Sequence, residues 1–447
     1  MRPVADLENR GRTVIKPKKP RVGRHTFFAL ALGLLAAAGV LTPLVGASAS
    51  GGLLHLAVRP GGSVSDTPLS ISVSGLAPGR RVILGVTSVD ARGVRWASSS
   101  TFVASATGTV DPATSVSVAG SYRGLDAMGP VDFMTAPARP GELYSWWRAQ
   151  CCSWSRALNF TFSASSGPAH AAVTVRRGPG LPVAASYQSM SGAGFVASFW
   201  QPPTGTRSHA AILEIYGSVA GYNDYGAWFA SRGYPALDIA YFGAPGLPTE
   251  LKDIPLEYFA KALRWLARQP GVDPARIWVM GISYGSEAAL LLGAHYPHLV
   301  HGVAAMVPND LASCAAYVCD GPAWTFGGRP VPYARLAGDS NPADNPAAVI
   351  PVAKVEGPVV LDCGGYDMLW RSCPSAQAIM AELAAAHRPF PRALLRYPQA
   401  GHGVGTPLPY WPGVASAGAD TNGEALLSNA VALADQWPKL LAFLGDN

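Results

Sequence analysis

A chain of 447 residues with 49% hydrophobic and 14% charged residues carries enough apolar material for a large core, which excludes wholesale disorder and coiled coil. Its 49 glycines and 39 prolines fall between apolar runs without a period, so collagen-like and repeat architectures are excluded too. The formal charge of +6 resides in residues 1–49; outside them 26 basic and 26 acidic residues balance, which removes the main argument for nucleic-acid binding.

Residues 1–49 read as a leader. A basic stretch from Lys16 to Arg24 precedes an apolar run from Phe27 to Leu41, Pro43 breaks it, and Ala47-Ser48-Ala49 offers small side chains at a cleavage site. That order describes an export signal. The alternative is an uncleaved membrane anchor, because Phe27 to Val45 could just span a thin bilayer with some tilt. Either way the remainder is expected outside the cytoplasm, with this segment its one route to a membrane.

Residues 50–165 read as short strands separated by turns. Leu69–Ser74 alternates apolar and polar residues, Val82–Val86 is a strand, Asp90–Gly93 a turn, and Leu158–Phe162 alternates again. This spacing predicts an all-β antiparallel sandwich. Asn159-Phe160-Thr161 fits a glycosylation sequon inside one of these strands. The Gly/Pro/Ala-rich tract 166–182 is expected to be a linker.

From residue 183 to 447 buried-type strands (Ala210–Tyr216, Ala236–Tyr241, Ile277–Met280, Val303–Val307, Val359–Cys363, Ala393–Tyr397) alternate with helical patterns. Leu256, Phe259, Leu263 and Leu266 lie on one helical face, entered at Asp253 and Pro255 and ended by Pro270-Gly271; a second helix runs from about Glu424 to Leu444. Continuous apolar strands alternating with helices predict a mainly parallel sheet covered on both faces.

Six cysteines in an exported chain suggest disulfides, and the spacings favour Cys314–Cys319 and Cys363–Cys373. Cys151 and Cys152 are adjacent, where a mutual bond would be strained. No cysteine has a histidine at ligand spacing, so zinc is a poor reading and no cofactor is expected.

The chemistry concentrates on Gly281-Ile282-Ser283-Tyr284-Gly285, which joins the strand Arg276–Met280 to a helix beginning near Ser286. At such a junction a tight turn lifts the serine hydroxyl above the sheet, and the new helix aims N–H groups at it. A serine needs a base, and the partners in this arrangement follow as acid and then histidine, each after a strand. Asp367, in the glycine loop after Val359–Cys363, and His402, between Gly401 and Gly403, meet that order; Asp362 ranks second as the acid and Asp310 third. His295, His298 and His301 read as surface residues. The oxyanion donors are expected from Tyr284 and from Ser218 or Val219 in the loop after Ala210–Tyr216. Residues Ala312–Ile350, rich in Pro and Gly, are expected to form an insertion over the site.

Both halves together resemble a known family. Gly120–Gly129 with Trp96 and Phe102, Pro255–Phe259, Gly281–Gly285, Gly365–Trp370 with Ser372, and Tyr397–His402 resemble the acyl-CoA thioesterases and bile acid-CoA:amino acid N-acyltransferases over roughly residues 55–445. The resemblance implies an immunoglobulin-like domain followed by an α/β-hydrolase fold, with nucleophile, acid and base at Ser283, Asp367 and His402. Thioesterases of this family use serine and its acyltransferases cysteine, so Ser283 implies hydrolysis of fatty-acyl thioesters through an acyl-enzyme. An exported carboxylesterase, lipase-like hydrolase or acyltransferase on a non-CoA ester is the alternative reading, and a non-catalytic surface binding protein the third. Members of known activity work inside cells, whereas this chain reads as exported, and no basic cluster for CoA phosphates stands out.

Overall fold

The computed structural model describes residues 53–138, 144–146, 157–179, 186–189, 193–203, 210–221, 225–335, 341–343, 345–406, 408–413 and 423–447. The leader, with its cleavage site, and Cys151 and Cys152 lie outside the described residues. The amino-terminal region contains strands β1 (His55–Arg59), β2 (Gly62–Val64), β3 (Ser70–Ser74), β4 (Arg81–Val89), β5 (Arg95–Val103), β6 (Ala119–Gly120), a short helix α1 (Gly129–Asp132), β7 (Leu158–Ser166) and β8 (Ala169–Gly178). Strand β4 shows the logic of the region: Val82, Leu84 and Val86 point inward while the residues between them face outward. A six-stranded sheet, ordered β2-β8-β7-β4-β5-β6, shares its core with the β1–β3 pair; only β2–β8 is parallel. The sandwich predicted from alternation is present.

The expected linker at 166–182 needs correction, because most of it is strand. A turn at Gly167 (φ +59°) sends the chain back as β8, paired along its whole length with β7. Its alternation was hidden because the inward positions begin with Ala169 and Ala171 rather than large apolar residues, and because Arg177 is buried.

The remainder contains β9 (Ser186–Ser189), β10 (Val196–Gln201), β11 (Ala211–Ile215), α2 (Gly226–Ser231), β12 (Ala236–Ala240), β13 (Ile254–Pro255), α3 (Leu256–Leu266), β14 (Ile277–Ile282), α4 (Tyr284–His295), β15 (Gly302–Met306), β16 (Trp324–Phe326), β17 (Arg329–Pro330), β18 (Val359–Gly364), α5 (Ser372–Ala385), β19 (Arg392–Tyr397) and α6 (Gly423–Asp446). Eight of these strands form one sheet, ordered β19-β18-β15-β14-β11-β12-β10-β9. The six from β19 to β12 run parallel, and β10 and β9 are antiparallel at one edge. Strands β11, β12, β14, β15 and β18 are buried at every position, as a sheet covered on both faces requires. Helix α3 packs Leu256, Phe259, Leu263 and Leu266 inward. With the nucleophile-type turn at the end of β14, this is an α/β-hydrolase fold.

After β11 the chain moves to β12 on one side and then to β14 on the other. The carboxyl ends of β11 and β14 therefore open a crevice between diverging loops, where open α/β sheets bind ligands. Sandwich and α/β region belong to one compact unit, Ala49–Asn447. Trp228 and Trp411 stack at 5.0 Å, with Trp146 edge-on to each at 6.4 Å. Asp66 of the sandwich accepts hydrogen bonds from Arg232 and from the indole of Trp437 on α6.

Candidate active site

Strand β14 delivers Ser283 into a conformation that few side chains adopt, φ +57° and ψ −124°. The flanking glycines are there because no side chain fits. A Cβ on Gly281 would stand 1.9 Å from the carbonyl oxygen of Gly285, and one on Gly285 would stand 2.1 Å from that of Ile215. Crowding at both ends holds the turn, and Ser286 donates to the Ser283 carbonyl through backbone and hydroxyl. Helix α4 starts at Tyr284, so its first N–H groups and positive dipole face the serine.

Ser283 opens into a cavity of about 260 Å³ that it shares with His402. The imidazole comes from the loop after β19, and its Nδ1 lies 2.9 Å from Oδ2 of Asp367, in the loop after β18. Both groups are shielded, with side-chain exposures of 11% for His402 and 1% for Asp367. The other oxygen of Asp367 accepts the N–H groups of Leu369 (3.0 Å) and Trp370 (3.2 Å), which fixes the carboxylate. Trp370 in turn donates its indole N–H to the Val307 carbonyl at 2.9 Å and sits 5.5 Å from the imidazole. A Cys363–Cys373 disulfide straps the base of this loop to the start of α5, and Cys314–Cys319 is also bonded, the two pairings favoured by spacing.

The rival carboxylates have other partners. Asp362 is fully buried and accepts from the Val307 amide at 2.6 Å and from the side chain of Gln436. Burial pushes its carboxyl well above the usual range, so it is a core group that shapes the positive-φ turn at Val307 (φ +43°). Asp310 accepts from the Ser375 hydroxyl at 2.7 Å. Among the three clustered histidines, His301 pairs with the Asn447 carbonyl and His295 packs on Phe326. Among the described residues no group of His, Cys, Asp and Glu is arranged to hold a metal ion.

Gly217, Ser218 and Val219 line the cavity opposite the histidine. One residue that sequence reading missed orients them: the Tyr241 hydroxyl lies 2.8 Å from the Tyr216 carbonyl and 2.7 Å from that of Gly217. Because each peptide is planar and trans, the N–H groups of Gly217 and Ser218 must then point away from Tyr241. Gly217 also lets the loop approach, since a Cβ there would come within 3.1 Å of the Ser283 side chain. Tyr241 carried no signal of its own; it reads as one more buried aromatic at the end of a strand.

Glu287 was missed as well. One turn after Ser283 and fully buried, it accepts from Asn309 (3.2 Å), from the hydroxyl (2.6 Å) and amide (2.9 Å) of Ser313, and from the Trp324 indole (2.9 Å). These bonds tie α4 to the segment that carries Tyr317 over the cavity, where the Tyr317 hydroxyl donates to the Ser218 carbonyl at 3.2 Å. The insertion expected at Ala312–Ile350 thus supplies a lining residue. Burial pushes the Glu287 carboxyl up to about 7.

The arrangement can polarise a serine hydroxyl and hold negative charge on an attacked acyl group. Two family models match the chain. Residues 66–178 match "Acyl-CoA thioester hydrolase/BAAT N-terminal region", and residues 254–447 match "BAAT / Acyl-CoA thioester hydrolase C terminal". The chain is 28% identical to acyl-coenzyme A thioesterase 6 of Mus musculus over 378 residues, covering 80% of this chain and 86% of that protein. It is 26% identical to the peroxisomal succinyl-coenzyme A thioesterase of Mus musculus over 427 residues, covering 87% and 96%. It is also 26% identical to acyl-coenzyme A amino acid N-acyltransferase 2 of Rattus norvegicus over 384 residues, covering 79% and 88%.

Proposed function

The chain belongs to the family of acyl-CoA thioesterases and bile acid-CoA:amino acid N-acyltransferases and is an enzyme of its thioesterase-like hydrolase type; from that premise we propose that it cleaves acyl thioesters and esters through a covalent intermediate on Ser283. One observation carries the reading: a serine raised on a positive-φ turn shares a cavity with an imidazole whose Nδ1 is 2.9 Å from a buried carboxylate. With Nδ1–H donating to Asp367, Nε2 is left as the base.

His402 Nε2 takes the Ser283 proton as Oγ attacks the acyl carbon. The carbonyl oxygen becomes an oxyanion held by the N–H of Tyr284 and, of the two candidates in the facing loop, that of Ser218, whose peptide Tyr241 orients. Collapse breaks the bond to the thiolate or alkoxide, which leaves with the proton from His402. Water, deprotonated by the same nitrogen, then attacks the acyl-serine and releases the carboxylic acid. Asp367 keeps the imidazole in the required tautomer and favours its charged form in between.

A small acyl thioester or ester is the substrate, and the protein acts outside the cytoplasm, its leader either removed after Ala49 or kept as an anchor. N-terminal sequencing of exported material separates the two fates. The compartment favours a second reading of substrate alone, a non-CoA ester, since CoA thioesters are intracellular metabolites. A panel of acyl-CoA, p-nitrophenyl ester and lipid ester substrates tests both. Turnover lost in Ser283→Ala with the fold intact supports the mechanism, and turnover that survives the substitution ends it.

A further inference from the structure

We propose that the mouth of the catalytic cavity is an interfacial surface that dips into an uncharged lipid layer and draws an acyl ester from it. The inference rests on the hydrolase reading only for where it places the substrate. Three loops that are distant in the chain line the cavity with Val219, Tyr317 and Leu369. Tyr317 is 85% exposed, Met368 75% and Val219 60%, while Val318, Tyr366 and Leu369 are about half exposed. Among the described residues of the α/β region, the other large apolar side chains this exposed are Phe326 and Val431. Exposed apolar side chains scattered singly need no explanation, but clustered loops around a substrate opening do.

Charge identifies the occupant. No described residue lining the cavity is Lys, Arg, Asp or Glu. On the same loops Asp367 is turned inward to His402, Asp320 is paired with Lys252 at 2.8 Å, and the exposed Arg371 ends the loop that carries Met368 and Leu369. The described cavity lining has no Lys or Arg to meet a polyanionic leaving group, whereas the methyl, thioether and phenol groups of the rim match the boundary between acyl chains and head groups. A second protein would need a larger patch with a polar rim holding directed hydrogen bonds. A lipid layer needs only apolar side chains that can leave water together. The backbone fits this use: Tyr317 (φ +68°) and Cys319 (φ +49°) hold a tight projecting turn, closed by the Cys314–Cys319 bond.

The test uses the full chain and vesicles of neutral phosphatidylcholine. Hydrogen exchange should slow at residues 317–319 and 366–369 when vesicles are added, a readout that binding through residues 1–49 alone does not produce. Val318→Ser with Met368→Ser should remove that protection and lower turnover of a vesicle-borne acyl ester about tenfold. Hydrolysis of a short soluble p-nitrophenyl ester should stay within about twofold, and Tyr366→Ser serves as an independent variant of the same surface. Unchanged exchange at these loops overturns the proposal. So does protection seen only with anionic vesicles and lost in high salt, or a rim-dependent dimer in light scattering without lipid protection. Should the wild type fail on the soluble ester, the hydrolase reading falls while the exchange result still decides this one.

Discussion

At the carboxyl edge of the parallel sheet, Tyr317, Met368 and Val219 stand in solvent around a serine held in an unfavourable backbone conformation. At the junction with the sandwich, Trp146, Trp228 and Trp411 are packed ring against ring, with Trp228 donating to the Ser65 hydroxyl at 2.8 Å and Trp411 to the Tyr144 carbonyl at 2.7 Å. Large apolar and aromatic side chains stabilise in one place and are left exposed in the other. Carboxylates divide in the same way. Asp66 at the junction is held by Arg232 and Trp437, whereas Asp367 at the rim keeps one oxygen for an imidazole. Local strain and exposure mark the candidate catalytic region, and the packed aromatic region carries the stability that tolerates them.

Four variants can break or sharpen that contrast. The largest effect belongs to the rim: Asp367→Asn, which leaves the imidazole in the wrong tautomer, should lower kcat about 10⁴-fold with little change in Tm, read by ester hydrolysis and calorimetry. A matching fall in Tm would show the rim to be structural. Next comes the junction, where Trp411→Ala should cost about 4 kcal/mol in denaturant unfolding while the rate per folded molecule stays unchanged.

The third concerns Glu287, which lies between the two in character. Its folded carboxyl sits at about 7 against the ordinary 4.5. Between these values the folded protein holds a proton that the unfolded chain has released. The stabilisation linked to this group is therefore complete below about 4.5 and is lost as pH rises through about 7. Glu287→Gln, neutral throughout, should flatten that decline, worth about 3 kcal/mol in urea titrations at stepped pH; an unaltered slope would remove Glu287 as its source. The smallest effect is expected from the loop strap. Cys363→Ala with Cys373→Ala should cost about 2 kcal/mol and lower kcat several-fold at unchanged KM, because the Asp367 loop loses its tether. A KM change alone would place the strap in substrate binding instead.

How much could be read from the chain follows from where each signal resides. Strands β4 and β7 alternate large and small polarity within a few residues, and β11, β14 and β18 are continuous apolar runs, so all were legible. Strand β8 was not, because its inward positions begin with alanines and end on a buried arginine, and α5 was not, because Ser372-Cys373-Pro374 and its many alanines give a helix with little contrast between faces. Ser283 announced itself because glycine stands at both Gly281 and Gly285, the first crowded by the turn itself and the second by the end of β11. Asp367 was distinguished from Asp362 by position, one beyond the strand and one within it, and their partners follow that position: Asp367 faces His402, whereas Asp362 is taken up by the Val307 amide and Gln436. Tyr241 and Glu287 act on segments far away in the chain, through a carbonyl pair and through Asn309, Ser313 and Trp324. No spacing rule reports such partners.

The hydrogen bond from Trp437 to Asp66 joins residues 371 positions apart. A growing polypeptide must expose α6 before that latch can shut, so a nascent sandwich, made before Arg232 as well, waits with an acidic side chain short of both its clasps. Completion of α6, rather than of the first hundred-odd residues, sets the moment when the molecule locks, and a product cut short before α6 would be an easy target for quality-control proteases.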